Sequence, residues 1–329
     1  MKHNIYIESE GILKRKDNTL YFEGKNNNMY IPVEEVNDIY LLGEIECNKK
    51  LLELLNRNGI SIHFFNYYNA YIGSFFPVSN VADGNITVKQ CIAYNSSKRL
   101  EIAKKIVNGE ISSILAVLKY YSRKKVDFEC EVEKICLYRK EIENVHSIME
   151  LMMKEARIRK IYYGCFNGII TNNDFVFIKR TKRPPKDLIN SLISFGNSIM
   201  YLQTMSQIHY AGLNPSIGYL HSSNNRKNSL SLDISEIFKP IIVDRAIFTL
   251  LNKNMISKKD FIVKDERIVI QSEARRKFLS MIDNELSSTI KTDNLKNGIS
   301  YRNLIKNECI KLKNDLLDND EYKVLKVRW

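Results

Sequence analysis

The sequence predicts an α+β protein: a small β-rich N-terminal unit over residues 1–78, a linker at 79–85, and a larger all-α-helical unit over 86–329. Three observations carry this. Up to residue 78, short runs alternate apolar and polar residues, the period of a half-buried strand. The segment Pro77-Val78-Ser79-Asn80-Val81-Ala82-Asp83-Gly84-Asn85 then gathers turn-forming residues in one place. Beyond it, apolar residues recur at helical spacing over long stretches.

Taken in order, residues 4–8 alternate and read as the first strand. Runs 12–15 and 19–23 flank Lys16-Asp17-Asn18, a hairpin turn signal. Runs 29–33 and 38–42 are further short strands. One helix interrupts them at 49–58, with Asn48 placed to cap it and Gly59 to end it. Strands 60–65 and 70–76 follow, around Asn66-Tyr67-Tyr68-Asn69. After the linker a long helix is expected over 87–107, broken at Gly109, then helices over 111–123, 127–145 and 147–163. Residues 167–180 read as a loop with a short extended piece. Helices resume over 186–210, 231–252, 272–288 and 301–317. The charged tail 318–329, ending in Trp329, fits either disorder or a peptide that docks a partner.

Composition narrows the function. The chain has 329 residues, 44% of them hydrophobic and 27% charged, ordinary for a soluble globular protein. Its net charge of +12 points to an anionic partner, nucleic acid or an acidic membrane surface, although part of the lysine excess accompanies the Asn and Ile of AT-rich coding. Six scattered cysteines without a C-x-x-C pair argue against a zinc ribbon or a disulfide framework, and favour reduced thiols in a cytoplasmic protein. The N-terminus lacks an apolar signal core, and no apolar run is long enough to span a membrane.

The chemistry concentrates in Gly218-Tyr219-Leu220-His221 and Leu232-Asp233-Ile234-Ser235-Glu236. Positions i and i+3 share a helix face, so Asp233 and Glu236 can address one point and a loop can bring His221 to it. Glu155, within Lys154-Glu155-Ala156-Arg157, can add a carboxylate from another helix. Such a set suits Mg²⁺ or Mn²⁺, and on a basic chain it suggests phosphodiester chemistry. The bland alternative is that Asp233 only caps a helix. Arg180, Lys182 and Arg183 precede the stiff Pro184-Pro185 pair, and Arg226 and Lys227 lie between His221 and Asp233; all five are candidate phosphate ligands or solvated loop residues. The aromatics Phe64, Phe65, Tyr67, Tyr68, Tyr71, Phe75 and Phe76 fit a core, a dimer interface or a base-stacking platform. His63 and His209 read as structural.

Four stretches resemble one family: Ile31-Pro32-Val33-Glu34-Glu35-Val36-Asn37-Asp38-Ile39-Tyr40; Gly59 through Gly73; Lys182-Arg183-Pro184-Pro185-Lys186-Asp187 through Gly196; and Ala211-Gly212-Leu213-Asn214-Pro215 through His221 with its Leu-Asp-x-x-Glu sequel. Together they are similar to the CRISPR adaptation integrase and endonuclease, Cas protein one. That resemblance implies an N-terminal β domain that dimerises, a helical catalytic domain, and assembly with a small partner, Cas protein two. It implies insertion of captured double-stranded DNA into a CRISPR repeat array by attack of a DNA 3′-hydroxyl. It also implies a metal site on Glu155, His221 and Glu236, with Asp233 beside it. Two other readings fit the residues: a structure-specific repair nuclease, and a non-catalytic DNA-binding scaffold.

Overall fold

The computed structural model describes residues 2–25, 28–80, 82–124, 126–182, 184–221, 227–264, 267–292 and 295–327. The N-terminal part contains β1 (His3–Ile7), β2 (Gly11–Lys16), β3 (Thr19–Gly24), β4 (Asn28–Ile31), β5 (Val36–Leu41), β6 (Ile45–Cys47), α1 (Lys49–Asn58), β7 (Ser61–Phe65) and β8 (Tyr71–Phe75). They form two four-stranded sheets, ordered β1-β5-β7-β8 and β4-β3-β2-β6. The β2–β3 turn places Asp17 at φ 54°, a left-handed position that Asp tolerates. The Asn48 side chain accepts from the Leu51 N–H, and Gly59 closes α1 at φ 67°. Leu13, Leu20, Val36, Ile39, Leu51, Leu55 and Ile62 make a core of their own between sheets and helix.

The rest of the chain is mainly helical: α2 (Gly84–Tyr94), α3 (Lys98–Ser122), α4 (Glu129–Glu141), α5 (Ile148–Gly164), α6 (Phe166–Ile169), α7 (Leu188–Tyr210), α8 (Ser229–Lys239) and α9 (Arg245–Asn252). The hairpin β9 (Phe261–Lys264) and β10 (Arg267–Ile270), α10 (Ser272–Ser287), the hairpin β11 (Thr289–Thr292) and β12 (Leu295–Ser300), and α11 (Tyr301–Leu316) complete it. A second, larger core gathers these helices and takes in Tyr40, Leu42 and Phe65 from the β-rich part. Among the described residues, no helix is long and apolar enough to cross a membrane.

The structure departs from the sequence reading in five places. The larger part is not all-helical: it carries two hairpins. Phe261-Ile262-Val263 and Ile268-Val269-Ile270 are β-forming runs that pair in antiparallel register, and Ser191 of α7 donates to the Ile268 carbonyl at 2.8 Å. Gly109 does not break its helix; α3 runs through it. A Cβ there would lie 2.4 Å from Val324 and 3.3 Å from Ile237, so the glycine permits a close approach. The break falls instead at 95–97, where the Asn95 and Ser96 side chains bond back to the Cys91 and Ala93 carbonyls.

The helix expected over 231–252 is α8 and α9 joined by a π-helical turn, Pro240–Asp244. Pro240 cannot donate into the ladder, which changes pitch at that point. Residues 170–180 are irregular as expected, but the segment opens on the short helix α6 rather than on a loop. Asn167 clamps that segment, donating to the Phe177 carbonyl and accepting from the Phe177 N–H, both at 2.8 Å. The tail packs on its own chain through residue 327: Tyr322 donates to Glu308 at 2.9 Å, and the Val327 N–H bonds Ser112 at 3.1 Å. Trp329 lies outside the described residues.

Candidate active site

α8 packs between α3 and α7 and is buried along almost its whole length, its two acids included. Asp233 is fully buried within it and is not a cap of its own helix. Its carboxylate instead accepts the backbone N–H groups of Tyr219 (2.5 Å), Leu220 (2.9 Å) and His221 (3.0 Å), fixing the incoming loop. Gly218 is required there, because a Cβ would meet Asp233 at 2.9 Å and the Ser229 carbonyl carbon at 2.7 Å. The same carboxylate lies 2.8 Å from His221 Nδ1. A carboxylate accepts, so the neutral imidazole carries its proton on Nδ1 and keeps a lone pair on Nε2.

One turn further, Glu236 is held from two sides. Its Oε1 accepts from Lys239 Nζ at 2.7 Å, and its Oε2 pairs with the Arg159 guanidinium. Arg159 also pairs with Glu155, four residues before it on α5, and with Glu110 of α3 at 2.7 Å. Glu155 and Glu236 therefore converge on one cationic centre although 81 positions separate them in the chain. Burial pushes Glu110 up to about 7, with Arg159 pulling the other way. Burial likewise holds Lys239 below the usual ammonium range, and Tyr201, which accepts from it at 2.9 Å, opposes that. Tyr201 falls below the ordinary phenol range: its own burial raises it, and the neighbouring cations, Lys239 foremost, outweigh that. Behind the cluster Tyr162 donates to Asp244 at 3.1 Å, and burial raises Asp244 to about 7.

Of the expected ligands, Glu155 and Glu236 are brought together, and His221 is oriented by Asp233, which itself lies one helical turn from Glu236. Among the described residues no three His, Cys, Asp or Glu side chains are grouped as ligands of one ion. What suits a hard divalent ion is the donor chemistry: two carboxylates aimed at a shared cation, and an imidazole with one nitrogen free of Asp233.

The expected phosphate ligands divide. Lys182 is exposed at the rim, and desolvation together with the charges of Arg159, Arg180 and Lys239 holds its pKa below the usual value. Lys227 is exposed just before α8. Arg180 is instead committed to the start of α7, donating to Asn190 at 2.8 Å and Ser194 at 3.1 Å. Arg183 and Arg226 lie outside the described residues. The aromatic run also divides, with Phe65 in the core and Tyr67, Tyr68 and Tyr71 exposed. His63 and His209 both make packing contacts within the fold: His63 is fully buried, and the half-buried His209 stacks on Phe76 at 3.8 Å.

The sequence reading missed Glu110, Arg159, Lys239 and Tyr201. Two had a signal. Arg159 stands at i+4 from Glu155 and Lys239 at i+3 from Glu236, spacings that place cation and acid on one face. Glu110, a lone acid in the apolar run of α3, was a weaker one.

Comparison with known proteins supplies an independent line. The family model of CRISPR associated protein Cas1 matches residues 5–284. A CRISPR-associated endonuclease Cas1 from Thermodesulfovibrio yellowstonii is 44% identical over 330 aligned positions, covering 100% of both chains. Another from Fusobacterium nucleatum is 41% identical, covering 100% of this chain and 98% of its own. The solved structure of a Cas1 protein from Thermotoga maritima superposes with a TM-score of 0.85 at 37% identity, over 97% of this chain and 98% of that one. A casposase bound to integration product shares the fold at a TM-score of 0.87 and 19% identity, over 100% of this chain and 95% of that one.

Proposed function

Because this chain belongs to the CRISPR-associated Cas1 family, we propose that it is a divalent-metal-dependent DNA endonuclease and integrase that inserts spacer DNA into a repeat array. The observation that carries the reading is the convergence of Glu155 and Glu236 on one cationic centre, with His221 held on the neighbouring loop by Asp233. Glu155, Glu236 and His221 Nε2 are the groups that would hold Mg²⁺ or Mn²⁺. When bound, the ion supplies Lewis-acid stabilisation to the attacked phosphate and the incoming DNA 3′-hydroxyl or water.

The chain's own residues do the rest. Asp233 fixes the His221 tautomer and ties the loop to α8, so that donor geometry survives substrate entry. Lys182 and Lys227 meet backbone phosphates at the rim, which gives affinity without sequence preference. Lys239 keeps one oxygen of Glu236 occupied and so leaves the other for the centre. Arg183 and Arg226 join the phosphate contacts in this reading.

Integration, beyond cleavage, is carried over from the fold shared with the casposase, by analogy. The partners follow the same reading: double-stranded DNA, a second copy docked through residues 1–78 with Tyr67, Tyr68 or Tyr71 near the contact, and Cas2, which is present with a chain of this fold in a solved Cas6-RT-Cas1–Cas2 complex. The test is strand transfer of a 3′-hydroxyl duplex into repeat DNA with Mg²⁺ or Mn²⁺. Chelation and Glu155→Gln should each abolish joined product. Product formed at the full rate after chelation would overturn the reading.

A further inference from the structure

Arg159 stands where a divalent ion would have to stand. It leaves α5 one turn after Glu155 and pairs with carboxylates from three helices: Glu110 of α3, Glu155 of α5 and Glu236 of α8. Its Nε lies against both Glu110 and Glu155 and its Nη2 donates to Glu236, so one guanidinium faces all three charges. An ion on Glu155 and Glu236 would share those same carboxylate oxygens with it, and two positive groups at that separation repel strongly in a partly buried site. Ion and guanidinium therefore exclude each other from Glu155 and Glu236.

The Arg159 side chain is also, with Glu155 at 16%, one of the two members of the cluster that keep some exposure, although the Arg159 Nε is buried. The Arg159 side chain is 19% accessible, against 2% for Glu110 and 6% for Glu236. What draws it out must compete with three carboxylates, and a phosphate does so with the matching fork geometry. We propose that Arg159 is a resident cation that closes the carboxylate site in the free protein and moves to a DNA phosphate on binding, so that ion loading is coupled to DNA binding. Arg159 is a positioning residue in this scheme. Coupling of this kind is reciprocal: DNA raises ion affinity by the factor by which the ion raises DNA affinity. The inference rests on the metal-dependent reading of the site.

The test is Mn²⁺ binding to the full-length protein, read from the electron paramagnetic resonance signal of free Mn²⁺. It is run with and without a duplex ending in 3′-deoxynucleotides, with the ion held by DNA alone subtracted. Wild type should bind Mn²⁺ about tenfold more tightly with DNA, within the usual range of such couplings. Arg159→Gln should bind it tightly without DNA and lose the DNA dependence. Arg159→Lys, with one compact ammonium, should fall between. If circular dichroism shows that Arg159→Gln does not fold, the wild-type and Arg159→Lys titrations decide. Equal wild-type affinity with and without DNA overturns the proposal, as does a folded Arg159→Gln with wild-type behaviour. Glu155→Gln separates the two readings: wild-type Mn²⁺ affinity in that variant sinks the metal site itself, whatever Arg159 does.

Discussion

At the acid site, carboxylates are buried with two cations against them. At the seam between β5 and α7, a carboxylate and an imidazole are buried among hydroxyls. Glu110, Glu155 and Glu236 all pair with Arg159, and Glu236 also with Lys239. Along the seam, His63 Nδ1 lies 2.6 Å from Ser74 Oγ and His63 Nε2 lies 3.1 Å from Ser206 Oγ; the Ser206 hydroxyl also bonds Asp38. Burial raises Asp38 to about 7, with Ser206 and the more distant Arg302 opposing it, and burial lowers His63 to about 3, helped by His209. The seam thus sheds charge and keeps hydrogen bonds. The acid site keeps charge and needs cations to do so. Buried ion pairs are poor stabilisers, since desolvation offsets most of their attraction. Four such pairs gather on two cations at the acid site where the seam has none, and the proposed chemistry accounts for that concentration of charge.

The largest effect that would sharpen this contrast is at Glu236. Glu236→Gln keeps the shape and removes the charge that Arg159 and Lys239 neutralise. We expect strand transfer to fall by roughly 10²–10³-fold, the scale of losing one preorganised charge-stabilising group, and the melting temperature to fall as well, because Lys239 and Arg159 are left without a buried counter-charge. A variant that lost stability and kept activity would reverse the assignment of roles.

The seam answers to pH. Asp38 holds its proton in the folded state up to about 7 and in the unfolded chain only to about 4. Folding therefore binds an extra proton between those values, and the Asp38 contribution to stability falls as pH rises through them. His63 works in the opposite sense: its stability contribution is lost as pH falls from its ordinary value of 6.5 toward about 3. The two nearly cancel where they overlap. Asp38→Asn removes one side, so its stability relative to wild type should climb from pH 4 to 7 by at most about 4 kcal/mol and then level off. Urea unfolding across that range reads the difference; a flat one would mean that Asp38 is ionised in the fold.

Much of the site was legible before the fold was. The Asp-x-x-Glu spacing does fall on a helix, and His221 does meet Asp233, but the two acids take different partners: Asp233 the 219–221 loop, Glu236 the Arg159 and Lys239 cations. Legible too was α1, whose cap and terminator act locally. What escaped was set by distant neighbours. Gly109 has the local look of a helix break, and only Val324 and Ile237, packed against it, explain why α3 continues. Arg180 has the look of a phosphate ligand, and only the Asn190 and Ser194 side chains show it committed elsewhere. Glu110 could be identified as part of the centre only once α3, α5 and α8 were side by side.

A smaller effect is expected at Asp233, which belongs to the charged side of the comparison but is satisfied by N–H groups as the seam is by hydroxyls. Asp233→Asn retains one acceptor for the 219–221 loop and loses its charge beside His221. Mn²⁺ affinity should weaken by about 10–100-fold, the usual cost of disturbing a group that orients a metal-binding histidine. An unchanged affinity would place His221 outside the ligand set.

The smallest effect is at Ser206, where the seam depends on a single hydroxyl. Ser206 sits on α7 and serves two strands at once, Asp38 of β5 and His63 of β7. It is buried, and a hydroxyl is both a donor and an acceptor, so it can donate to the carboxyl and accept from the imidazole in one geometry. Ser206→Ala leaves both partners short of a bond without opening much space. The expected cost is about 1–3 kcal/mol by chemical denaturation, the range for leaving a buried polar group unsatisfied. Strand transfer should be unaffected at temperatures where the variant is folded, because no contact of Ser206 reaches the acid cluster directly. Loss of strand transfer in a folded Ser206→Ala protein would show that seam and acid site are energetically coupled, and the comparison drawn between them would no longer hold.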